Sequence, residues 1–360
     1  MTGDNGLGAH YPALADALPC ITLGDWPTPL DEAPALAAKL GLASLHIKRD
    51  DTTSAHYGGN KVRKLEYLLA EAIERGCDST VTYGSVGSNH ALATAVFATR
   101  LGLGSHAVLV DQPASATVAK KLRFLLSLGA TIHHAQNFSQ TRQLFERIRD
   151  AHPRAAAGVA DIPWGGSNWL GATGFVAAAF ELLGQLTGAP PPDYLYVSGG
   201  TMGTATGLAL GLRAAGTNTL VVAPRAVPSG GSDHGRIRQI LEETNRELHA
   251  RDATFPLFTD LLANLEPRPE FYGTGYAEPT AGSIEAVDMA ARHLGITLEN
   301  TYTAKAFAGI VADARNGRLK GRRVVFWQTY SSAPYPADLA DVDTSALPSS
   351  LRHYLEACPA

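Results

Sequence analysis

Ser79-Thr80-Val81-Thr82-Tyr83, then Gly84-Ser85-Val86-Gly87-Ser88-Asn89, then His90 to Leu101 is the stretch whose reading decides the fold. A run of β-branched and aromatic residues meets a Gly/Ser turn and passes into an Ala/Leu-rich helical segment, the sequence form of a parallel βαβ unit. The rhythm recurs along the chain. Ser105 to Val110 reads as a strand and Thr117 to Leu128 as a helix closed by Gly129. Tyr194 to Val197 reads as a strand that enters Ser198 to Gly203 and then a helix over Thr204 to Ala215. An α/β architecture with mostly parallel sheets follows. Breaks rich in Gly, Ser, Pro or Asp near Asp51 to Gly59 and Asp161 to Ser167 divide the chain into an inserted lobe, 55–165, and a larger one built from 1–54 plus 166–360. Pro190 to Pro192 and Pro228 to Gly235 read as exposed loops.

At 360 residues, with 45% hydrophobic and 18% charged content, the chain can bury the cores of two such lobes. Its net charge of −4, from 30 basic and 34 acidic residues, gives no footprint for nucleic acid or an anionic membrane. No segment approaches an uninterrupted apolar membrane span, and Met1 to Cys20 lacks the pattern of a signal peptide. Cys20, Cys77 and Cys358 lie far apart with no zinc-like spacing. A soluble, cytoplasmic protein without a metal site is the expectation.

Three turns carry candidate chemistry. Gly58-Gly59-Asn60-Lys61-Val62-Arg63-Lys64 places Lys61 at a helix start, where the helix dipole and the charges of Arg63 and Lys64 lower its pKa and favour the free amine that Schiff-base chemistry needs. The same stretch also reads as a solvated basic helix start. Gly84 to His90 offers backbone N–H groups and hydroxyls to an anion such as a substrate carboxylate, although Ser88 or Asn89 is equally an ordinary N-cap. His90 is either a site residue or a structural histidine. Ser198-Gly199-Gly200-Thr201-Met202-Gly203-Thr204 is a cradle for a single phosphate, without the spacing of a nucleotide P-loop or a dinucleotide fold.

Together with Lys48 to Asp51, Pro163 to Asn168, Gly275-Tyr276-Ala277-Glu278-Pro279 and Glu299 to Ala306, these motifs resemble the D-cysteine desulfhydrase and 1-aminocyclopropane-1-carboxylate deaminase family, over about 25–330. The resemblance implies the fold type II architecture of pyridoxal phosphate enzymes, with two open twisted sheet domains, the cofactor between them, and a homodimer. It implies that Lys61 carries pyridoxal 5′-phosphate as a Schiff base and that Asn89 bonds the pyridoxal 3′-oxygen. Gly200, Thr201, Met202, Gly203 and Thr204 would hold the phosphate, and Thr329 would lie against the pyridine nitrogen. Ser88 would bind the carboxylate of a small amino-acid substrate or act near its α-carbon, with Asn89 and His90 beside it. Tyr276 and Tyr302 would be acid/base or orienting phenols, where each otherwise reads as core packing.

Within the family, Thr303 and Thr329 follow the desulfhydrase branch rather than the deaminase branch, where glutamate and leucine are usual. β-Elimination to a 2-oxo acid, ammonia and a sulfur leaving group is therefore expected, ahead of ring opening or a cysteine-synthase-like β-replacement. Binding without turnover is the non-enzymatic alternative. Three positions depart from the family: Gly87 where glutamine is usual, which is expected to enlarge the pocket; Leu92 where a basic residue is usual; and Tyr330-Ser331 where two glycines are usual.

Overall fold

Short runs of Val, Ile, Leu, Tyr and Thr form the strands of two sheets, and Ala/Leu-rich stretches form the helices between them. The computed structural model describes residues 6–154, 158–231 and 233–356. The strands are β1 (Leu30–Glu32), β2 (Ser44–Arg49), β3 (Ser79–Ser85), β4 (Gly104–Val110), β5 (Thr131–His134), β6 (Val159–Ile162), β7 (Tyr194–Tyr196), β8 (Leu220–Pro224), β9 (Leu265–Arg268) and β10 (Arg323–Gln328). The helices are α1 (Leu7–His10), α2 (Pro12–Ala17), α3 (Pro34–Leu40), α4 (Lys61–Glu74), α5 (Asn89–Arg100), α6 (Ala116–Ser127), α7 (Phe138–Ala151), α8 (Trp169–Gln185), α9 (Gly203–Ala214), α10 (His234–Arg251), α11 (Ala281–Leu294), α12 (Thr303–Arg315) and α13 (His353–Glu356).

A four-stranded sheet runs β5-β4-β3-β6, every pair parallel, and draws all its strands from 131–134, 104–110, 79–85 and 159–162. A six-stranded sheet runs β1-β2-β10-β7-β8-β9 and is parallel except where β1 pairs with β2. The architecture is thus α/β with two sheets dominated by parallel pairing. The deciding stretch folds as the rhythm predicts. β3 continues to Ser85 because Gly84 and Ser85 still pair with Leu109 and Val110 of β4, and the Ser88 hydroxyl caps α5 by accepting from Ala91 N–H. Two loop expectations need correction: Pro192 is buried, and the loop from Pro228 ends at Asp233, whose carboxylate accepts from Arg236 N–H and starts α10 at His234. Residues 1–5 and Cys358 lie outside the described residues. Among those described, no helix is long and apolar enough to cross a membrane, and Cys20 and Cys77 are free thiols.

The C-terminal ends of β3, β7 and β10 each deliver a chemical motif to one region, the usual place for a ligand in parallel α/β sheets. Gly59 fixes the meeting of β10 with the start of α4. Its φ of 98° is in the region glycine favours, and an added Cβ would fall 2.7 Å from the Thr329 carbonyl oxygen.

Beneath this junction lies a buried ionic cluster. Arg63 donates to Asp50 Oδ1 and Oδ2 at 2.8 and 2.9 Å, and to Glu181 Oε1 and Oε2, both at 2.9 Å. Lys48 Nζ reaches the same Glu181 at 2.5 Å and Gln185 Oε1 at 2.6 Å. Trp327 Nε1 donates to Asp50 Oδ2 at 2.7 Å, and the Arg63 guanidinium stacks 4.1 Å from the Trp26 ring centre. Two cations thus face two anions, and burial is offset by charge pairing and saturated donors. Glu181 alone would be raised by burial, but Arg63 and Lys48 bring it down to about 2. Asp50 is 0% exposed, so Asp50→Ala, which leaves Arg63 half-paired, should destabilise the protein by about 3–5 kcal/mol. A loss of less than about 1 kcal/mol of unfolding free energy, read from denaturant titration, would contradict this weight for the cluster.

Candidate active site

Lys61 opens α4, and no hydrogen bond or ion pair reaches its Nζ among the described residues. Loss of hydration within the protein brings its pKa from 10.5 to about 8. The cause differs from the sequence expectation. Arg63 and Lys64 are buried rather than solvated, and the Arg63 charge is spent on Asp50 and Glu181. Lys64 turns the other way, donating to Gly165 O and Ser167 Oγ, each at 3.0 Å. Burial, with Lys61 and Arg236 nearby, holds its ammonium well below the usual lysine range.

The turn from Gly200 to Thr204 faces this second lysine. Asn60 Nδ2, beside Lys61, donates to Thr204 Oγ1 at 2.9 Å. Ser167 Oγ accepts from Gly203 N–H at 3.2 Å and lies 2.7 Å from Thr201 Oγ1. Met202 precedes α9 with φ 66° and offers no side-chain cap. The N–H groups of Thr201, Met202 and Thr204 have no acceptor among the described residues. A Cβ at Gly203 would fall 2.6 Å from Ser167 Oγ and 2.9 Å from Lys64 Nζ, so this cradle admits only bare backbone. Ser198 Oγ is buried without a hydrogen-bond partner among the described residues. Open N–H groups, an orphaned hydroxyl and amines without carboxylate partners are what a phosphate monoester requires. The residues present therefore fit the phosphate of pyridoxal phosphate.

A second cluster gathers at the Ser88 turn. Ser88 and Asn89 are half-buried, and the N–H groups of Asn89 and His90 have no acceptor among the described residues. Asn89 Oδ1 accepts from Tyr57 Oη at 3.1 Å and Lys121 Nζ at 2.5 Å, which leaves Nδ2 to donate elsewhere. The His90 ring stands apart from this face. It is 3% exposed, Nε2 donates to the Pro163 carbonyl at 3.1 Å, and burial with the charges of Lys61 and Lys64 keeps it neutral. The structure also corrects the expectation of an enlarged pocket at Gly87. A Cβ there would fall 2.7 Å from Gln112 Nε2, and Gln112 Oε1 accepts from Gly87 N–H at 3.1 Å. The side chain missing at 87 is replaced by the Gln112 amide, from the loop that follows β4, while Leu92 is fully buried in the core.

Tyr276 and Tyr302 come together with their hydroxyls 2.9 Å apart, and Ser85 Oγ lies 3.1 Å from Tyr276 Oη. The Tyr302 ring is 3.3 Å from the position of a Cβ at Gly200, so the phenol pair borders the phosphate cradle. Burial raises both phenols above their usual range, which makes them hydrogen-bond donors at neutral pH. Thr329 is held at the end of β10, its carbonyl accepting from Asn60 N–H at 3.1 Å. Ser85, Tyr57, Gln112 and Lys121 were not singled out from sequence. Ser85 lay within a motif already read, whereas the other three reach the site only through tertiary contacts.

A sequence model of the family described as "Pyridoxal-phosphate dependent enzyme" matches residues 21–329. Among solved structures, the chain is similar to an ACC deaminase homologue, with 27% identity, 92% of this chain and 98% of that chain covered, and a TM-score of 0.76. It shares its fold with a fungal L-serine ammonia-lyase from Rhizomucor miehei at 18% identity, 91% and 99% coverage and a TM-score of 0.60. The processed form of threonine deaminase isoform 2 from Solanum lycopersicum has the same fold at 17% identity, 95% and 91% coverage and a TM-score of 0.58.

The Lys61 environment gives a pH prediction. Its cationic form is the one disfavoured by the fold, so the free amine should emerge as pH rises through about 8. Competitive labelling of the cofactor-free protein with trace acetic anhydride, followed by peptide mass spectrometry, should show Lys61 reactivity levelling off well below pH 10. Reactivity that climbs in parallel with exposed lysines, near 10.4, would contradict the desolvated site.

Proposed function

The chain belongs to the pyridoxal-phosphate dependent enzymes, and we propose that within this family it is a lyase removing the β-substituent of a small amino acid, D-cysteine or a related compound. One water is consumed, and the leaving group, ammonia and a 2-oxo acid are released. The observation that carries this reading is the unpartnered Lys61 amine at a site shared by a phosphate cradle, an anion-binding turn and two hydrogen-bonded phenols.

When bound, pyridoxal phosphate supplies an electron sink for the pair left behind as the α-proton departs. The chain's own groups divide the remaining work. Lys61 would anchor the cofactor and, as a free amine, would take the α-proton, for which a pKa near 8 suits it. Ser88 and the open N–H groups of Asn89 and His90 receive the substrate carboxylate, with Asn89 Nδ2 free for the cofactor's phenolic oxygen. The Thr201, Met202 and Thr204 N–H groups and Lys64 hold the phosphate. Tyr302, backed by Tyr276 and Ser85, hands a proton to the leaving group and is reprotonated along that chain of hydroxyls. Thr329 would meet the pyridine nitrogen with a neutral hydroxyl, which favours rapid loss of a β-substituent over transamination.

The reading carries with it an inserted lobe over 55–165 between 1–54 and 166–360, supported by a four-stranded sheet whose strands all fall in 79–162. It also carries a homodimer in a reducing cytoplasmic setting, its size to be read by light scattering. Ring-opening deamination is the second reading, favoured by the similarity to an ACC deaminase homologue and opposed by Thr303 and Thr329.

The holoenzyme should release sulfide and pyruvate from D-cysteine. Release of 2-oxobutyrate from 1-aminocyclopropane-1-carboxylate, with no product from D-cysteine, would replace the first reading with the second. Tyr302→Phe should lower kcat by about 10²–10⁴-fold while the bound cofactor still responds to substrate. Unchanged kcat would remove the phenol from the mechanism.

A further inference from the structure

Lys121 is the buried amine that the mechanism above leaves without a task. It comes from α6 and is 5% exposed. Its Nζ donates to the Gly87 carbonyl at 2.8 Å and to Asn89 Oδ1 at 2.5 Å, and the Tyr330 ring centre lies 5.9 Å away. Two of the three ammonium hydrogens are therefore spent, and one is open. The acid whose field reaches Lys121 is Glu299, but Glu299 accepts from the N–H groups of Thr301, Tyr302 and Thr303 and forms no ion pair with it. The site thus keeps a buried, uncompensated positive charge, at the limit of reach of one aromatic face. That arrangement is costly. For tying Gly87 to Asn89 alone, a neutral donor would serve at lower cost.

The position of the charge indicates what would compensate it. The Ser88 turn already offers an amino acid's α-carboxylate the open N–H groups of Asn89 and His90. Lys121 approaches the same turn through the Gly87 carbonyl and the Asn89 side chain instead, with the Tyr57 hydroxyl on the same amide oxygen. One carboxylate is provided for without it.

We propose that Lys121 binds a second acidic group of the substrate, so that the preferred substrates are small amino acids whose β-substituent is itself an anion, a sulfonate or phosphate that departs with the bonding pair as sulfite or phosphate. The inference rests on the lyase reading and adds the charge of the leaving group to it. A substituent departing as an anion keeps the same ammonium as its partner.

The test compares matched substrates on the holoenzyme: cysteate against cysteine and O-phosphoserine against serine, both enantiomers of each. Two quantities are read, the affinity from the shift in cofactor absorbance and kcat/KM from 2-oxo acid release. Wild type should favour the acidic member of each pair. Lys121→Met should lower both quantities for the acidic member about 10- to 100-fold more than for the neutral one, the loss of one charge-assisted hydrogen bond. Lys121→Gln removes the charge but keeps an amide donor toward Gly87 and Asn89, so the same ratio remains readable if the methionine variant fails to fold; Lys121→Arg should restore part of the preference. Equal losses for acidic and neutral members would overturn the proposal, leaving Lys121 as a positioning residue for Asn89. Action on neutral substrates with no binding of acidic ones would overturn it too, with the lyase reading intact. If no amino acid perturbs the cofactor, the lyase reading itself fails and this inference falls with it.

Discussion

The contact of Arg63 with Asp50 and Glu181 is the constraint on which the arrangement depends. Arg63 lies two residues beyond Lys61 on the same helix, Asp50 directly follows β2, Glu181 belongs to α8, and Trp327 brings β10 to the Asp50 carboxylate. One guanidinium therefore fixes the start of α4 relative to both edges of the site. Because the cluster is neutral in sum and buried, any shift of α4 exposes an unpaired charge to an apolar interior, which costs several kcal/mol. The lysine that must be mobile is mounted on a helix that cannot be.

Around that anchor the site is a problem of unbalanced charge. Lys61, Lys64 and Lys121 are amines without ion-pair partners among the described residues, and burial depresses all three. The acids nearby are committed elsewhere: Glu299 to the first turn of α12, Asp50 and Glu181 to Arg63 and Lys48. A folded protein that spends carboxylates this way holds its cations for anions that arrive from outside. The cofactor's carbonyl and its phosphate would engage Lys61 and Lys64, which is why the third amine is informative.

What could be read in the sequence follows from the range of each interaction. The βαβ rhythm of 79–101, 105–128 and 194–215 is local, and the strands and helices appear there to within two residues. The three turns could be found because glycine and hydroxyl residues at a strand-to-helix junction have a local reason to be there. The Trp327–Asp50 bond joins positions 277 apart, and nothing in either neighbourhood announces the other. The cause of the Lys61 pKa is hidden for the same reason, since a run of basic residues looks solvated until the partners of Arg63 are known. Gly87 reads as a void because Gln112, in the loop after β4, is invisible to a reading of one segment.

The most direct test is the place where the cofactor becomes attached. The protein loaded with pyridoxal phosphate would be reduced with borohydride, digested, and mapped by mass spectrometry with fragmentation that separates Lys61 from Lys64. The account predicts a single phosphopyridoxyl adduct on Lys61. An adduct on Lys64 or Lys121 in its place, or no adduct at all, would contradict it.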